Sequence, residues 1–522
     1  MNKSKKYVLS IDCGTQSIRG LIFDKMGNLL AKESIIYEIP YESPQINWAE
    51  RDPRNYLDEL CKVTNRLKDN FADLFYELSA VSITTQRDTC VLVDENYDVL
   101  RPAILWLDNR KSKKSRSLNP IYSLGTKIIG MKKTVDVFSK ETPAHWIMEN
   151  EPDVWSKTNK YLMLSTYLIY ELTGIAADSI SAQTGHMPLN YKKQIWDNRW
   201  GLKGNIFQIP PKKLYPIYPA GTVVGGISKE AADKTGLRED MPLILAGSDK
   251  ACETLGTGCQ NEEIASVSLG SQATIETASS RYYEVQRFIP PFPSAIPGMY
   301  NPEINVYRGF WLVSWFKEQF GEEELRESML SGKSPEEILN EKIRGIEPGS
   351  QGLILQPYWG NELKRPESRG AIIGFNEEHT KYHIYRAIIE GIGYALKEGM
   401  LKIEKKSGTE ISKVAISGGG AQSDLICQIM SDIFDRRTYK VQTSETSGLG
   451  AAICAFVGLN EYRDFSHAIA EMVHISSEFY PDEGRKQIYQ ELYHKGYSKI
   501  YQRLKPVYVE LERMQNEDID NN

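Results

Sequence analysis

Apolar and polar positions alternate in short blocks from the first ordered stretch of the chain onward. Apolar runs at 7–11 and 18–23 flank the turn Cys13-Gly14-Thr15-Gln16-Ser17, and a third run at 29–37 follows the polar stretch 24–28. Glycine and polar residues between apolar runs predict an antiparallel hairpin with a third strand. A helix is expected next. Asp52 is placed to cap it, Pro53 suits its first position, and Tyr56, Leu60, Val63 and Leu67 share one face. Strands are expected at 81–85, 89–93 and 103–106, so this half reads as α/β. Residues 111–137 are polar, basic and helix-compatible. Helices are predicted at 146–151 and 161–172, with Gly174 placed to end the second. The proline- and glycine-rich stretch 203–226 reads as a connection, and 243–246 as a short buried strand.

The opening pattern then recurs. An apolar run at 264–269, the turn Gly270-Ser271-Gln272 and a returning run at 273–277 repeat the first hairpin, with Gly14-Thr15-Gln16 lying 256 residues before Gly270-Ser271-Gln272. A repeat at about half the chain length indicates two similar domains, and chance similarity of two turns is the plainer alternative. The second half continues with a long helix at 381–406, a strand at 413–416, a helix at 424–434 and a strand at 439–442. A small-residue helix at 449–457 follows. The end is helical over 484–514, with a bend at Pro506. Its stripe of Tyr489, Tyr493, Tyr497 and Ile500 is expected to pack on the body of the protein.

Composition narrows the class. At 522 residues, 41% hydrophobic and 25% charged, the chain is an ordinary multi-domain globular protein. A net charge of −6 gives no basic footprint for nucleic acid. The longest nearly unbroken apolar run, 448–459, is too short to span a bilayer, and the polar start lacks a signal segment, so no membrane partner is expected. Seven scattered cysteines without a Cys-x-x-Cys pair fit free thiols in a reducing cytoplasm. His379 and His383 have no third ligand nearby and read as a surface or capping pair.

Four constellations carry candidate chemistry. In Asp12-x-Gly14-Thr15-Gln16-x-x-Arg19, a glycine turn lets backbone N–H groups approach an anion, and Thr15, Gln16 and Arg19 add donors. Asp12 closes an apolar strand, where a divalent cation or a hydrogen-bonded hairpin would satisfy it. In Ala246-Gly247-Ser248-Asp249, the aspartate either accepts a hydroxyl proton or caps the following helix. Gly418-Gly419-Gly420-Ala421 exposes backbone at a helix start. It reads as a nucleotide contact or as a tight turn, and matches neither a Walker A loop nor a dinucleotide fingerprint. Gln86-Arg87-Asp88 with Trp106-x-Asp108-x-Arg110 suits a polyhydroxylated ligand, or forms a surface salt-bridge cluster.

Together these residues resemble the FGGY family of carbohydrate kinases, within the actin, hexokinase and Hsp70-like ATPase superfamily. The resemblance covers roughly residues 7–460. It rests on Asp12-x-Gly14-Thr15, Trp106-x-Asp108-x-Arg110, Ala246–Asp249, Gly270-Ser271, the stretch 370–390, Gly418–Ala421 and Leu449-Gly450-Ala451-Ala452. It implies an α/β fold of two ribonuclease H-like domains around a central cleft. The expected division is 1–246 with the sugar site, 247–460 with the ATP site, and a helical extension at 461–522. By resemblance, Asp249 is the general base and Asp12 helps hold Mg²⁺. Gly14, Thr15, Gln16 and Arg19, with Gly270 and Ser271, sit by the ATP phosphates. Gly419, Gly420 and Ala421 line the adenosine side, and Arg87, Asp88, Trp106 and Asp108 face the sugar or polyol. Many members are dimers.

Departures bear on the substrate. Residues 141–146 lack the lysine that usually precedes the family's tryptophan, Lys250 stands where many members have glutamine, and Phe375 replaces an aliphatic residue. Gln86-Arg87-Asp88 is similar to the Gln-Arg-Glu of glycerol kinases, whereas the other motifs are nearer xylulose-type kinases. The expected activity is therefore ATP-dependent phosphorylation of a small sugar or polyol in the cytoplasm, with a ketopentose such as xylulose first. Glycerol, another polyol or a tetrulose is the alternative acceptor. A non-catalytic ATP- and sugar-binding relative is the competing class, and an Hsp70-like chaperone or actin-like polymer leaves Trp106-x-Asp108-x-Arg110 unexplained.

Overall fold

The opening hairpin forms as expected. Tyr7–Cys13 pairs antiparallel with Ser17–Asp24, which pairs with Leu29–Ile36. The structure is a computed structural model in which residues 6–359 and 365–520 are described. Strand Leu78–Thr85 lies parallel to Tyr7–Cys13, Pro242–Leu245 lies parallel to Leu78–Thr85, and Val223–Gly226 closes the edge antiparallel. The central strands are buried on both faces and so read as mostly apolar runs without regular polar alternation, with buried Ser10 and Ser82 among them.

A second six-stranded sheet repeats this scheme. Ile264–Leu269 pairs antiparallel with Ala273–Thr277, which pairs antiparallel with Glu303–Val306. Lys413–Ser417 and Arg437–Val441 add in parallel, and Ile475–Phe479 closes the edge antiparallel. The same sequence of strand senses in both sheets makes the turn at Gly270 the structural counterpart of the turn at Gly14. The repeat is thus a duplication of architecture.

Two helices form the seam. Asp249–Gly256 and Thr446–Gly458 pack together, and residues Leu449–Phe456 share a core with Val8, Leu21, Phe23 and Ile244 of the first sheet. Their approach requires glycine. A Cβ on Gly450 would lie 1.9 Å from the Cys252 carbonyl oxygen, and one on Gly256 would lie 2.0 Å from that of Thr446. The small-residue composition read as a helix is the mark of this contact. Behind the second sheet, Lys381–Ser407 packs with Asp424–Phe434, and Tyr489, Tyr493 and Tyr497 join that core around Tyr394.

Several sequence readings change. The helix expected at 161–172 begins as strand Lys160–Met163, because this apolar run pairs with Cys90–Val93, and the helix is Leu164–Thr173. Gly174 does end it, with φ of 73°. The strand expected at 103–106 is only Ala103–Ile104, since the chain turns at Leu105 to bring Asp108 back. The segment beyond 460 is not purely helical: Ile475–Phe479 completes the second sheet. Helix Ser498–Asp520 runs through Pro506, and residue 502, whose carbonyl loses its partner, is exposed to water. His383 caps the start of helix Lys381–Ser407, its Nδ1 accepting the Thr380 N–H at 3.1 Å. Among the described residues, no helix is long and apolar enough to cross a membrane.

Candidate active site

The first hairpin presents its turn to the groove between the sheets. The Gly14 N–H donates to the Ser17 carbonyl at 3.0 Å and closes the turn. Thr15 donates its hydroxyl to Gln86 Oε1 at 2.5 Å and accepts the Trp106 indole N–H at 2.9 Å. Gln16 is exposed, and its carbonyl accepts the Tyr37 N–H. Across the hairpin from Asp12 stands Arg19, whose guanidinium reaches Asp12 at 3.2 Å and Glu445 at 3.3 Å. Lys32 also meets Glu445, at 2.5 Å.

Asp12 is buried, and burial pushes its carboxyl up to about 6. Arg19 opposes this, while the charges of Asp249, Glu445 and Glu253 add to it. Such a carboxylate is short of positive charge. Among the described residues, no group of three or more His, Cys, Asp or Glu forms a metal cage. A Mg²⁺ that keeps phosphate and water ligands needs only one or two carboxylates, and Asp12 fits that donor set.

Asp249 opens the helix Asp249–Gly256, but it is not the cap. Ser248 takes that role by accepting the Ala251 N–H. This leaves the Asp249 carboxylate on the cavity wall, accepting the Lys250 backbone N–H at 2.8 Å. Burial raises its pKa above the ordinary carboxylate value, against the pull of Arg87 and Lys250. A carboxylate held this way is a stronger proton acceptor than a solvated one. Lys250 itself turns away, donating to Glu253 at 2.7 Å and to the Ser268 hydroxyl at 2.8 Å.

The opposite wall comes from the turn after strand Leu78–Thr85. Asp88 sits at φ of 52°, a left-handed conformation that aspartate tolerates better than most side chains. It accepts the His186 backbone N–H at 2.9 Å and pairs with His186 Nδ1 at 2.7 Å. Burial raises the Asp88 carboxyl, but the His186 contacts and Arg87 outweigh it and hold it below the ordinary value. Arg87 bridges to Glu303 at 2.9 Å, and Trp106, 39% exposed, turns its ring to the cavity.

A cavity of about 460 Å³ brings together Thr15, Arg87, Asp88, Trp106, Asp249, Gly270 and Ser271, along with Thr184, Phe292, Glu303 and Asn305. A second, of about 1000 Å³, shares Gly270 and Ser271 and runs past Phe310, Lys333, Arg344, Tyr385, Gly419 and Gly420. The two meet at the turn of the second hairpin. Gly418 makes this possible: its φ is 83°, and a Cβ there would lie 2.9 Å from Leu269.

Asp12, Gly14, Gln16 and Arg19 lie at the first hairpin without lining either cavity, and two further expected site residues fall elsewhere. Asp108 does not face the acceptor cavity. Its carboxylate is spent on the Ala49 N–H at 2.6 Å and on the Arg110 guanidinium at 2.7 and 2.8 Å. Arg110 is in turn stacked on Trp48. Ala421 is buried against the second core, and the neighbouring Gly419, Gly420 and Gln422 line the cavity in its place. Sequence reasoning missed Thr184 and His186 of one loop, Glu303 and Asn305 of one strand, and Glu445, none of which carries a local motif. Thr184 Oγ1 and Asn305 Oδ1 are buried without a hydrogen-bond partner among the described residues, on the wall of the acceptor cavity.

Known proteins share this fold. Residues 7–256 match the N-terminal domain of the FGGY family of carbohydrate kinases, and residues 265–459 match its C-terminal domain. A xylulose kinase of Lactococcus lactis is 28% identical over 493 residues, 93% of this chain and 95% of its own. A gluconokinase of Bacillus subtilis is 26% identical, over 97% of this chain and 96% of its own. Among solved structures, a gluconate kinase from Lactobacillus acidophilus superposes with a TM-score of 0.81 at 22% identity, covering 97% of this chain and 99% of its own. A xylulose kinase from the same organism superposes with a TM-score of 0.80 at 22% identity, covering 97% and 100%. With both domain families spanning the two sheets and the cleft between them, this chain belongs to the FGGY family of carbohydrate kinases.

Proposed function

We propose that the protein transfers the γ-phosphoryl group of ATP to a hydroxyl of a small neutral sugar, with the ketopentose xylulose as the first acceptor. One observation carries this reading: the half-buried Asp249 carboxylate stands on the cavity wall that also holds Thr15 and Gly270 from the turns of the two hairpins. Kinship with proteins named xylulose kinase over nearly the whole chain supports the acceptor class.

Asp249 takes the proton of the acceptor hydroxyl as its oxygen bonds to the γ-phosphorus, and the bond from that phosphorus to the bridging oxygen breaks to release ADP. Gly14, Thr15 and Arg19 on one side, and Gly270 and Ser271 on the other, hold the phosphate chain. Gly419 and Gly420 border the adenosine. Trp106 covers the C–H face of the acceptor, while Arg87 and Asp88 bond its hydroxyls. Asp12 helps hold Mg²⁺, which neutralises phosphate charge when bound. Such positioning and charge neutralisation are what phosphoryl transfer asks of a protein. The sugar site lies between the domains, with Arg87, Asp88 and Trp106 from the first and Asp249 and Glu303 from the second, and the ATP site belongs to the domain built on the second sheet. The boundaries fall near residues 246 and 460, and the cytoplasm is the compartment.

The test is coupled ADP release with ATP and Mg²⁺ over ketopentoses, ketohexoses, aldoses, tetruloses and polyols. Acceptor-dependent ADP release with a ketopentose preferred supports the reading. Binding of ATP and sugar without any transfer contradicts it.

A further inference from the structure

The acceptor cavity carries a charge arrangement that phosphoryl transfer does not require. Its charged lining residues are Arg87, Asp88, Asp249, Lys250 and Glu303. Both cations are already engaged: Lys250 with Glu253 at 2.7 Å, and Arg87 with Glu303 at 2.9 Å. Arg87 is further held by the Phe292 ring, 4.9 Å from the guanidinium carbon to the centroid.

Glu303 is backed by a second carboxyl. Glu276 and Glu303 are directly paired across the antiparallel strands Ala273–Thr277 and Glu303–Val306, and so share one face of the sheet. Glu276 is 3% exposed and accepts the Thr254 hydroxyl at 2.9 Å. Burial and the adjacent Glu303 push the Glu276 carboxyl well above the ordinary range. Glu303 thus meets Arg87 at 2.9 Å with a buried carboxyl, Glu276, paired to it across the strands.

Sugar acids such as gluconate bring a carboxylate into a kinase of this size. Recognition of that group calls for a cation whose charge is not already paired, and a carboxylate facing Asp88 and Asp249 without one is repelled. We propose that Glu303 is a specificity-determining residue, which by neutralising the charge of Arg87 denies an acceptor carboxylate its counter-ion and restricts the enzyme to neutral polyhydroxylated acceptors, whose hydroxyls the remaining Arg87 N–H groups still serve. This rests on the carbohydrate-kinase reading of the cavity. It is a case of selection by exclusion, in which a built-in repulsive element matters as much as any attractive contact.

The experiment measures kcat/KM for gluconate and for the best neutral acceptor in the wild type, Glu303→Gln and Glu276→Gln. Gluconate-induced shifts of melting temperature are recorded on the same proteins, a readout that needs no turnover. The wild type is expected to use gluconate at least about 100-fold less well than the neutral acceptor. Glu303→Gln frees Arg87, narrows that ratio at least about tenfold by gaining on gluconate, and acquires a gluconate-induced shift that the wild type lacks. Glu276→Gln keeps a polar side chain of the same shape behind Glu303 and leaves the ratio within about threefold of wild type. A wild type that prefers gluconate overturns the proposal even if Glu303→Gln does not fold. A folded Glu303→Gln with neither a narrowed ratio nor a gluconate shift overturns it as well. Absence of transfer to every acceptor speaks against the kinase reading instead, and the gluconate-binding comparison still decides the role of Glu303.

Discussion

The Trp106 indole N–H donates to the Thr15 hydroxyl at 2.9 Å, tying the acceptor wall to the turn of the first hairpin. Thr15 passes the link on to Gln86, whose amide reaches the Tyr56 hydroxyl at 3.0 Å. Trp106→Phe keeps a ring over the acceptor but cuts this link. Because one neutral hydrogen bond contributes about 1 kcal/mol, KM for the acceptor should rise about three- to tenfold. The melting temperature should stay near wild type, since Trp106 is 39% exposed. Steady-state kinetics beside a melting curve check both.

Asp108 gives the opposite pattern. Its side chain is 1% exposed and is bound to Arg110, itself buried. Asp108→Ala leaves the guanidinium short of a partner, although Glu50 still reaches it at 2.7 Å. Breaking a buried pair from one side costs about 3–5 kcal/mol, and Glu50 should reduce the loss toward the lower end. Denaturant unfolding should show the loss, while KM for the acceptor in the surviving folded enzyme changes little. A large KM effect without destabilisation would return Asp108 to the acceptor site.

The Asp88–His186 pair sets a pH dependence of stability. The Asp88 pKa is lowered from 3.8, so its contribution is present above 3.8 and lost as pH falls through the lower folded value. For His186, burial opposes the charged form, but Asp88 outweighs it and raises the pKa from 6.5. Its contribution is therefore full below 6.5 and lost as pH rises through the higher folded value. The stability difference between wild type and His186→Gln should be greatest between those two ordinary values and shrink toward alkaline pH. Melting temperatures across a pH series measure it.

Gly450 tests the seam. An added Cβ would lie 1.9 Å from the Cys252 carbonyl, on the helix that begins with Asp249. Backbone cannot yield cheaply, so Gly450→Ala should destabilise by about 3 kcal/mol or more. It should also lower kcat through displacement of Asp249. Calorimetric melting and turnover of the same preparation report the two effects.

Much of the fold was legible because its signals are local. Both hairpins, the capped helix after Asp52 and the end at Gly174 follow from alternation, caps and glycine. The strand Lys160–Met163 was not legible, because only its pairing with Cys90–Val93 distinguishes a short apolar run from the first turn of a helix. In the site, Thr15, Arg87 and Asp249, singled out in turns after strands, line one cavity. Asp108 was misread because its spacing from Trp106 and Arg110 says nothing of which side chain takes the guanidinium. Glu303 and His186 act across 216 and 98 residues from their partners Arg87 and Asp88, and sequence order carries no trace of such contacts.

The central claim is that Asp249 is the base on the acceptor hydroxyl, and Asp249→Asn tests it most directly. The measurement is acceptor-dependent ADP release beside calorimetric ATP binding on one preparation. Removing a general base should lower kcat by about 10²- to 10⁴-fold. ATP affinity should be retained and the melting temperature should not fall, because burial disfavours the charge that asparagine removes. An Asp249→Asn protein that binds ATP and turns over its acceptor at the wild-type rate would contradict the account.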